Sequence, residues 1–166
     1  MLDVGIDISG LKQMENALLD IAKEVGAKKA TGMMTLSMRD GAEEFKQEIE
    51  RTAPVSSKVR SAASRAKAFN RPGFYKSKIK IRSSTNRNAQ INRKFDKGVV
   101  SIVKVGVFKV FYAPWIEFGN SKLPANPIIR RAFIKKTNPA MQVINHRLAK
   151  RILLAQRRIA KKNKAA

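Results

Sequence analysis

The sequence predicts an α+β domain: a mainly antiparallel sheet packed by N-terminal helices and a C-terminal amphipathic helix. Three observations carry this. Apolar residues recur at helical spacing between Leu11 and Thr52, apolar and cationic residues alternate from Tyr75 to Arg82, and an apolar stripe of helical period runs from Met141 to Ile159. Strand, helices, several adjacent strands and a last helix, in that order, suit a sheet covered by helices. A length of 166 residues with 43% hydrophobic content fits one domain over residues 1–166 with a real core.

The elements follow in order. Val4 to Ile8 alternates apolar and polar residues as a short half-buried strand does, and Ser9-Gly10 breaks it. Leu11, Met14, Leu18, Ile21 and Val25 then mark a first helix that Gly26 stops. A second starts near Lys28 or Thr31 and runs to about Thr52, with Met34, Met38, Ala42, Phe45 and Ile49 on one face and Gly41 inside it. Residues 56–72 are basic and small-sided, an insertion that buries little by itself. Tyr75 to Arg82 reads as a strand with one apolar and one cationic face, and 83–97 as a polar loop. Val99–Val105 and Val107–Phe111 read as a strand or hairpin pair. A helical stretch over Ile128–Ile134 is interrupted at Asn138-Pro139, and the last helix follows, fraying over residues 160–166.

Charge is extreme and uneven. The chain carries a net +23, yet residues 1–50 hold 6 basic and 10 acidic side chains while residues 51–166 hold 29 basic and 2 acidic. Such a surplus calls for an anionic neighbour, nucleic acid or an acidic protein surface; a solvated face that keeps the chain soluble is the competing account. The candidate anionic-partner contacts are Lys76, Lys78, Lys80 and Arg82 on the strand, and Arg147, Lys150, Arg151, Arg157 and Arg158 on the last helix.

Catalytic and ligating groups are sparse. There is no cysteine, His146 is the sole histidine, and Asp96 and Glu117 are the only acids after Glu50. No paired carboxylates, phosphate-binding glycine loop or metal-ligand spacing occurs, so no catalytic, cofactor or metal site is expected and the chain reads as a non-enzyme. No apolar run approaches the roughly 18 residues of a membrane span. The N-terminus lacks the basic and apolar segments of a cleaved signal.

The most informative stretch is Tyr112-Ala-Pro-Trp-Ile-Glu-Phe-Gly119 followed by Asn120-Ser-Lys-Leu-Pro-Ala-Asn-Pro127. Physically it reads as an aromatic strand end, a tight glycine turn and a proline-punctuated lead into a helix. With Ala53-Pro54-Val55 and Gly73-Phe-Tyr-Lys-Ser-Lys-Ile-Lys-Ile81, it resembles the tail-component family of tailed phages, the tail-completion or neck proteins that join a siphophage tail to its head. The resemblance covers most of residues 4–150. Asn120, Ile128 and Arg131 depart from the family's usual threonine, aromatic and proline, and residues 57–72 look inserted.

The resemblance implies a virion protein, assembled in the host cytoplasm, that forms a homo-oligomeric ring, a hexamer by the symmetry of the tail tube. Its implied partners are the head–tail connector and tail tube or terminator proteins. Tyr112, Trp115, Glu117, Phe118, Gly119, Pro124 and Pro127 are the candidate subunit or partner interface, with Tyr112, Trp115 and Phe118 read either as core anchors, the commoner use, or as interface anchors of a ring. For Glu117 two readings stand: a local contact that fixes the turn, or a pair with an arginine of an adjacent subunit. The alternative function is non-specific DNA or RNA binding, which the charge and the aromatics Phe69, Phe74 and Tyr75 would suit. For the basic surface, gripping acidic protein is preferred to contact with DNA in a channel, because a cationic lining would retard sliding.

Overall fold

A computed structural model describes residues 9–55, 72–84 and 101–164 of the chain. Their elements are α1 (Ser9–Val25), α2 (Ala27–Thr52), α3 (Phe74–Ser77), β1 (Ile79–Ser84), β2 (Ile102–Val107), α4 (Ala113–Phe118) and α5 (Ile128–Lys164). The expected strand at residues 4–8, residues 56–71 of the insertion and residues 85–97 of the polar loop lie outside the described residues. The two N-terminal helices form where their periodicity places them. Gly26, at φ 97°, takes the left-handed conformation between them, and its N–H donates to the Ala22 carbonyl at 3.0 Å.

The chain is α+β and rich in helix, but it is not mainly sheet: the described residues hold a two-stranded antiparallel sheet, β1 with β2. Two expected strand segments fold otherwise, for local reasons. Gly73 at φ 75° starts the single turn α3, in which the Ser77 N–H donates to the Gly73 carbonyl and the Ser77 hydroxyl to the Phe74 carbonyl. The strand therefore starts at Ile79 rather than Tyr75. Beyond Val107, Lys109 adopts φ 60°, which ends extension, and Pro114 in the first turn of α4 presets a helical φ where an aromatic strand end was expected.

The expected break at Asn138-Pro139 does not occur, since α5 runs through Pro139 without interruption. Proline forfeits one helical hydrogen bond and crowds the preceding turn, at about 3 kcal/mol. Ala132 and Ala140, on either side of the proline in the second unit, are both buried, and that packing offsets the cost.

Two compact units are formed. The described residues of the first are 9–41, 83–84, 101–103 and 141–164; those of the second are 42–55, 72–82 and 104–140. In the first, Leu18 and Ile21 of α1, Ala30 of α2, and Leu148 and Ile152 of α5 form the core, with Met14, Met33 and Ile159 packed against it. Ser37 is fully buried there. Its hydroxyl donates to the Met33 carbonyl and accepts from Arg151, which also meets Asp40 at 2.9 Å.

In the second unit Ile49, Ile79, Ile128 and Ala132 form the core, with Val105, Val107 and Ile116 against it. Phe45 stacks on Phe133 with ring centroids 4.4 Å apart. Glu48 is buried under two cations. Arg51 reaches it at 2.6 Å and Lys135 at 3.1 Å, while Glu44 takes Lys136 at 3.0 Å. The hydrogen bonds from Arg51 and Lys135 pull the Glu48 carboxyl down to about 2, against the opposing effect of burial.

Three outcomes follow for stability. Ile49→Ala removes a side chain with no exposed surface and should cost about 2–5 kcal/mol in urea unfolding, whereas Pro139→Ala should stabilise by up to about 3 kcal/mol. For Glu48, a folded pKa below the ordinary value means that its contribution is present above pH 4.5 and is lost as pH falls toward 2. Melting curves of Glu48→Gln should therefore show a shallower loss of stability across that window than the parent protein.

Candidate partner interface

The segment singled out by sequence lies wholly in the second unit and is held by its backbone. Val110 is buried, the chain turns at Phe111-Tyr112, and the amides of Trp115 and Ile116 both donate to the Tyr112 carbonyl. Ile116 faces the core, and its carbonyl accepts from the Asn126 amide at 2.8 Å. Asn120 and Leu123 exchange backbone hydrogen bonds in an isolated bridge, and the Asn120 side chain accepts from the Lys122 amide. The Arg131 guanidinium donates to the Asn126 side chain.

Glu117 is the centre of the arrangement. Its side chain is buried, with Oε2 accepting from the Ile129 amide and Oε1 from the Arg130 amide, both at 3.0 Å. The first four amides of a helix have no intrahelical acceptor of the regular kind. Here Pro127 has no amide hydrogen to satisfy, Ile128 donates to the Asn126 carbonyl, Glu117 takes Ile129 and Arg130, and the regular ladder begins with Arg131 donating to the Pro127 carbonyl. A carboxylate at this end also meets the positive pole of the helix. Of the two sequence readings of Glu117, the geometry is that of the local contact that fixes the turn.

Gly119 is required as glycine. It sits at φ 77° and ψ 177°, its N–H donating to the Trp115 carbonyl, and a Cβ there would lie 2.8 Å from the Ala125 amide nitrogen. Nearby, burial and then the Glu117 charge push the Tyr75 hydroxyl up to about 12, and burial raises Tyr112. The Tyr75 hydroxyl has no hydrogen-bond partner among the described residues.

With Glu117 committed inward, the outward face is apolar. Phe111, Trp115 and Phe118 stand 67%, 47% and 68% exposed. Trp115 and Phe118 lie three residues apart on one side of α4, and the Phe111 ring, from the turn before the helix, extends the stripe by meeting Trp115 edge to face at 5.7 Å. Arg130 lies over the Phe118 ring at 6.0 Å. Leu123 and Pro124 are exposed beside them in sequence, while Pro127 is half-buried. Phe111 was absent from the sequence-based set, although its spacing from Trp115 and Phe118 was a readable signal.

The cationic candidates divide between the two units. Lys76, Lys80 and Arg82 are exposed in the second unit; Lys78 lies over the Phe74 ring and Arg82 over that of Phe108. In the first unit Lys150, Arg157 and Arg158 are exposed, whereas Arg147 and Arg151 meet Asp40 at 3.8 and 2.9 Å. Among the described residues no group of three histidine, acidic or cysteine side chains is placed to hold a metal, and no helix is long and apolar enough to cross a membrane. His146 is exposed on α5. Compared with models of protein families, with curated proteins and with solved structures, the chain finds no match.

The geometry makes Glu117 and Gly119 structural. Glu117→Ala should lower stability by about 1–3 kcal/mol by freeing two helix-start amides, and Gly119→Val by more than about 1 kcal/mol because both φ and the Ala125 backbone oppose a side chain. Trp115→Ala should change the stability of the isolated subunit far less. Chemical denaturation of the three variants side by side checks the order.

Proposed function

We propose that this chain is a structural protein of a phage neck or tail, acting by assembly rather than turnover: a homo-oligomeric ring, hexameric in this reading, that completes the tail and joins it to the head connector. The observation that carries the proposal is the aromatic stripe of Phe111, Trp115 and Phe118, exposed on a segment held rigid by Glu117 and Gly119. Large aromatics held outward on a short helix and the turn before it, both braced by Glu117 and Gly119, are anchors suited to a partner surface, since rigid exposed aromatics lose little entropy on binding. The same segment carries the resemblance to tail-completion proteins, so the residues of the resemblance and the uncovered surface coincide. In this reading the chain resides in the virion and meets tail tube or terminator proteins.

The charge favours a second reading, non-specific binding of DNA or RNA. Sedimentation of protein freed of nucleic acid separates the two. A discrete oligomer that Trp115→Ala with Phe118→Ala returns to monomer, at a cost of roughly 2 kcal/mol or more per interface, is the expected result. A chain that stays monomeric at every concentration, yet binds random duplex with an affinity falling steeply with salt, would instead establish the nucleic-acid reading.

A further inference from the structure

The first unit contains a groove of about 780 Å³ that the reading above does not use. Two of its walls have helical spacing. From α2 come Lys29, Gly32, Met33 and Leu36; from α5 come Ala155, Arg158, Ile159 and Lys162. Each set follows i, i+3, i+4, i+7, the single face that one helix offers to another. Ile21, from near the end of α1, closes the floor. Three helices thus line a trough about two turns long whose apolar base includes Leu36, which is 52% exposed.

Two details define what fits. A Cβ built on Gly32 meets nothing within 4 Å, so the space before the α2 backbone is empty, and Ala155 leaves a similarly low wall on α5. Close approach of backbones over small residues is how helices pack tightly. The rim is cationic: Lys29, Arg158 and Lys162 stand around the apolar base, and Glu24 is the one acid among the lining residues. Met33 adds an unbranched side chain that adapts to an incoming surface.

We infer that this groove seats an amphipathic helix of a partner protein, one whose apolar stripe is flanked by Asp and Glu. Its apolar side chains rest on Met33, Leu36 and Ile159 while its acids meet Arg158, Lys162 and Lys29, the helix-in-groove mode of recognition. Charge complementarity selects acidic flanks for the occupant, because Lys29, Arg158 and Lys162 outnumber Glu24 in the groove, and a second copy, whose residues 51–166 hold 29 basic and 2 acidic side chains, would bring mostly like charge with it. The inference rests on the assembly reading only in expecting a protein neighbour, and it adds the neighbour's chemistry.

The test uses the full-length protein and a labelled designed peptide of about 18 residues, with leucines at i, i+3, i+4 and i+7 and glutamates on the flanks. Its control is a scramble of the same composition. Fluorescence anisotropy at about 0.15 M salt, where distant charges are screened, should show the patterned peptide binding about tenfold tighter than the scramble. The Cβ of Gly32→Leu meets nothing within 4 Å and its side chain enters the groove, so it should weaken patterned-peptide binding about tenfold, while leucine's better helix propensity leaves the unfolding curve no lower. Arg158→Glu with Lys162→Glu should weaken it comparably, and Lys76→Glu with Lys80→Glu, outside the groove, should change it less than about twofold.

Equal binding of peptide and scramble, or no loss in the Gly32→Leu protein, overturns the inference. So does an oligomer that Gly32→Leu alone returns to monomer, because the groove is then filled by a second copy. Failure of the peptide to bind leaves ring formation through the aromatic stripe untouched, so the two readings fail separately.

Discussion

A buried carboxylate that accepts two amide hydrogens at the head of a 37-residue helix determines how the second unit is arranged. Leaving those amides unpaired would cost a few kcal/mol, and no other acid follows Glu117 in the sequence. Once Glu117 is turned inward, the helix that carries it must present its other side outward. Ile116 then enters the core beside Ile128, and Trp115 and Phe118 are left on the surface. Gly119 completes the constraint, since its tight approach to Ala125 allows the chain to double back to the start of α5. The exposed stripe is therefore a consequence of the cap, and its rigidity comes from the same hydrogen bonds.

A second constraint is the pairing of charges between helices. The acids of the N-terminal region are not spread evenly over the surface. Glu44 and Glu48 meet Lys136 and Lys135 in the second unit, and Asp40 meets Arg151 and Arg147 in the first. Of these, the more exposed pair of Asp40 with Arg147 contributes little, about 0–1 kcal/mol. The larger effect of the pairs is on what remains. Cations paired at home are poorly available to a partner, so Lys150, Arg157, Arg158, Lys80 and Arg82 are the better placed of the cationic candidates. Arg151, bound to both Ser37 and Asp40, serves the packing of its own unit.

These constraints divide the surface by chemistry. An aromatic stripe suits burial against a well-shaped protein surface, where large side chains with few rotamers lose little entropy on binding. A cation-rimmed apolar trough suits a segment that supplies acids and aliphatic side chains together. In the assembly role proposed above, such a division would keep neighbours distinct, because chemically different contacts prevent one from taking another's place.

The sequence by itself determined the helices and the charge. The spacing of Leu18, Ile21, Leu148 and Ile152 was enough to identify core faces, because a helix converts local periodicity directly into a buried stripe. Gly26 was legible as a stop for the same reason, and the alternation from Ile79 to Arg82 was legible as a strand. The candidate segment at residues 112–127 was also visible, through its aromatics, Gly119 and its prolines. What only the tertiary structure decided lies in competition between local preference and distant partners. Pro139 signalled a break that the burial of Ala132 and Ala140 on either side of it overrode. Phe74–Ser77 and Ala113–Phe118 alternate or carry aromatics as strands do, yet local hydrogen bonds close them into turns of helix. Ser37 is buried because Arg151 reaches it from 114 residues away, and Glu48 because Lys135 does so from 87. The inward face of Glu117 follows from amides 12 and 13 residues further on. No local pattern encodes such partners, since they depend on which backbone groups the folded chain leaves unsatisfied.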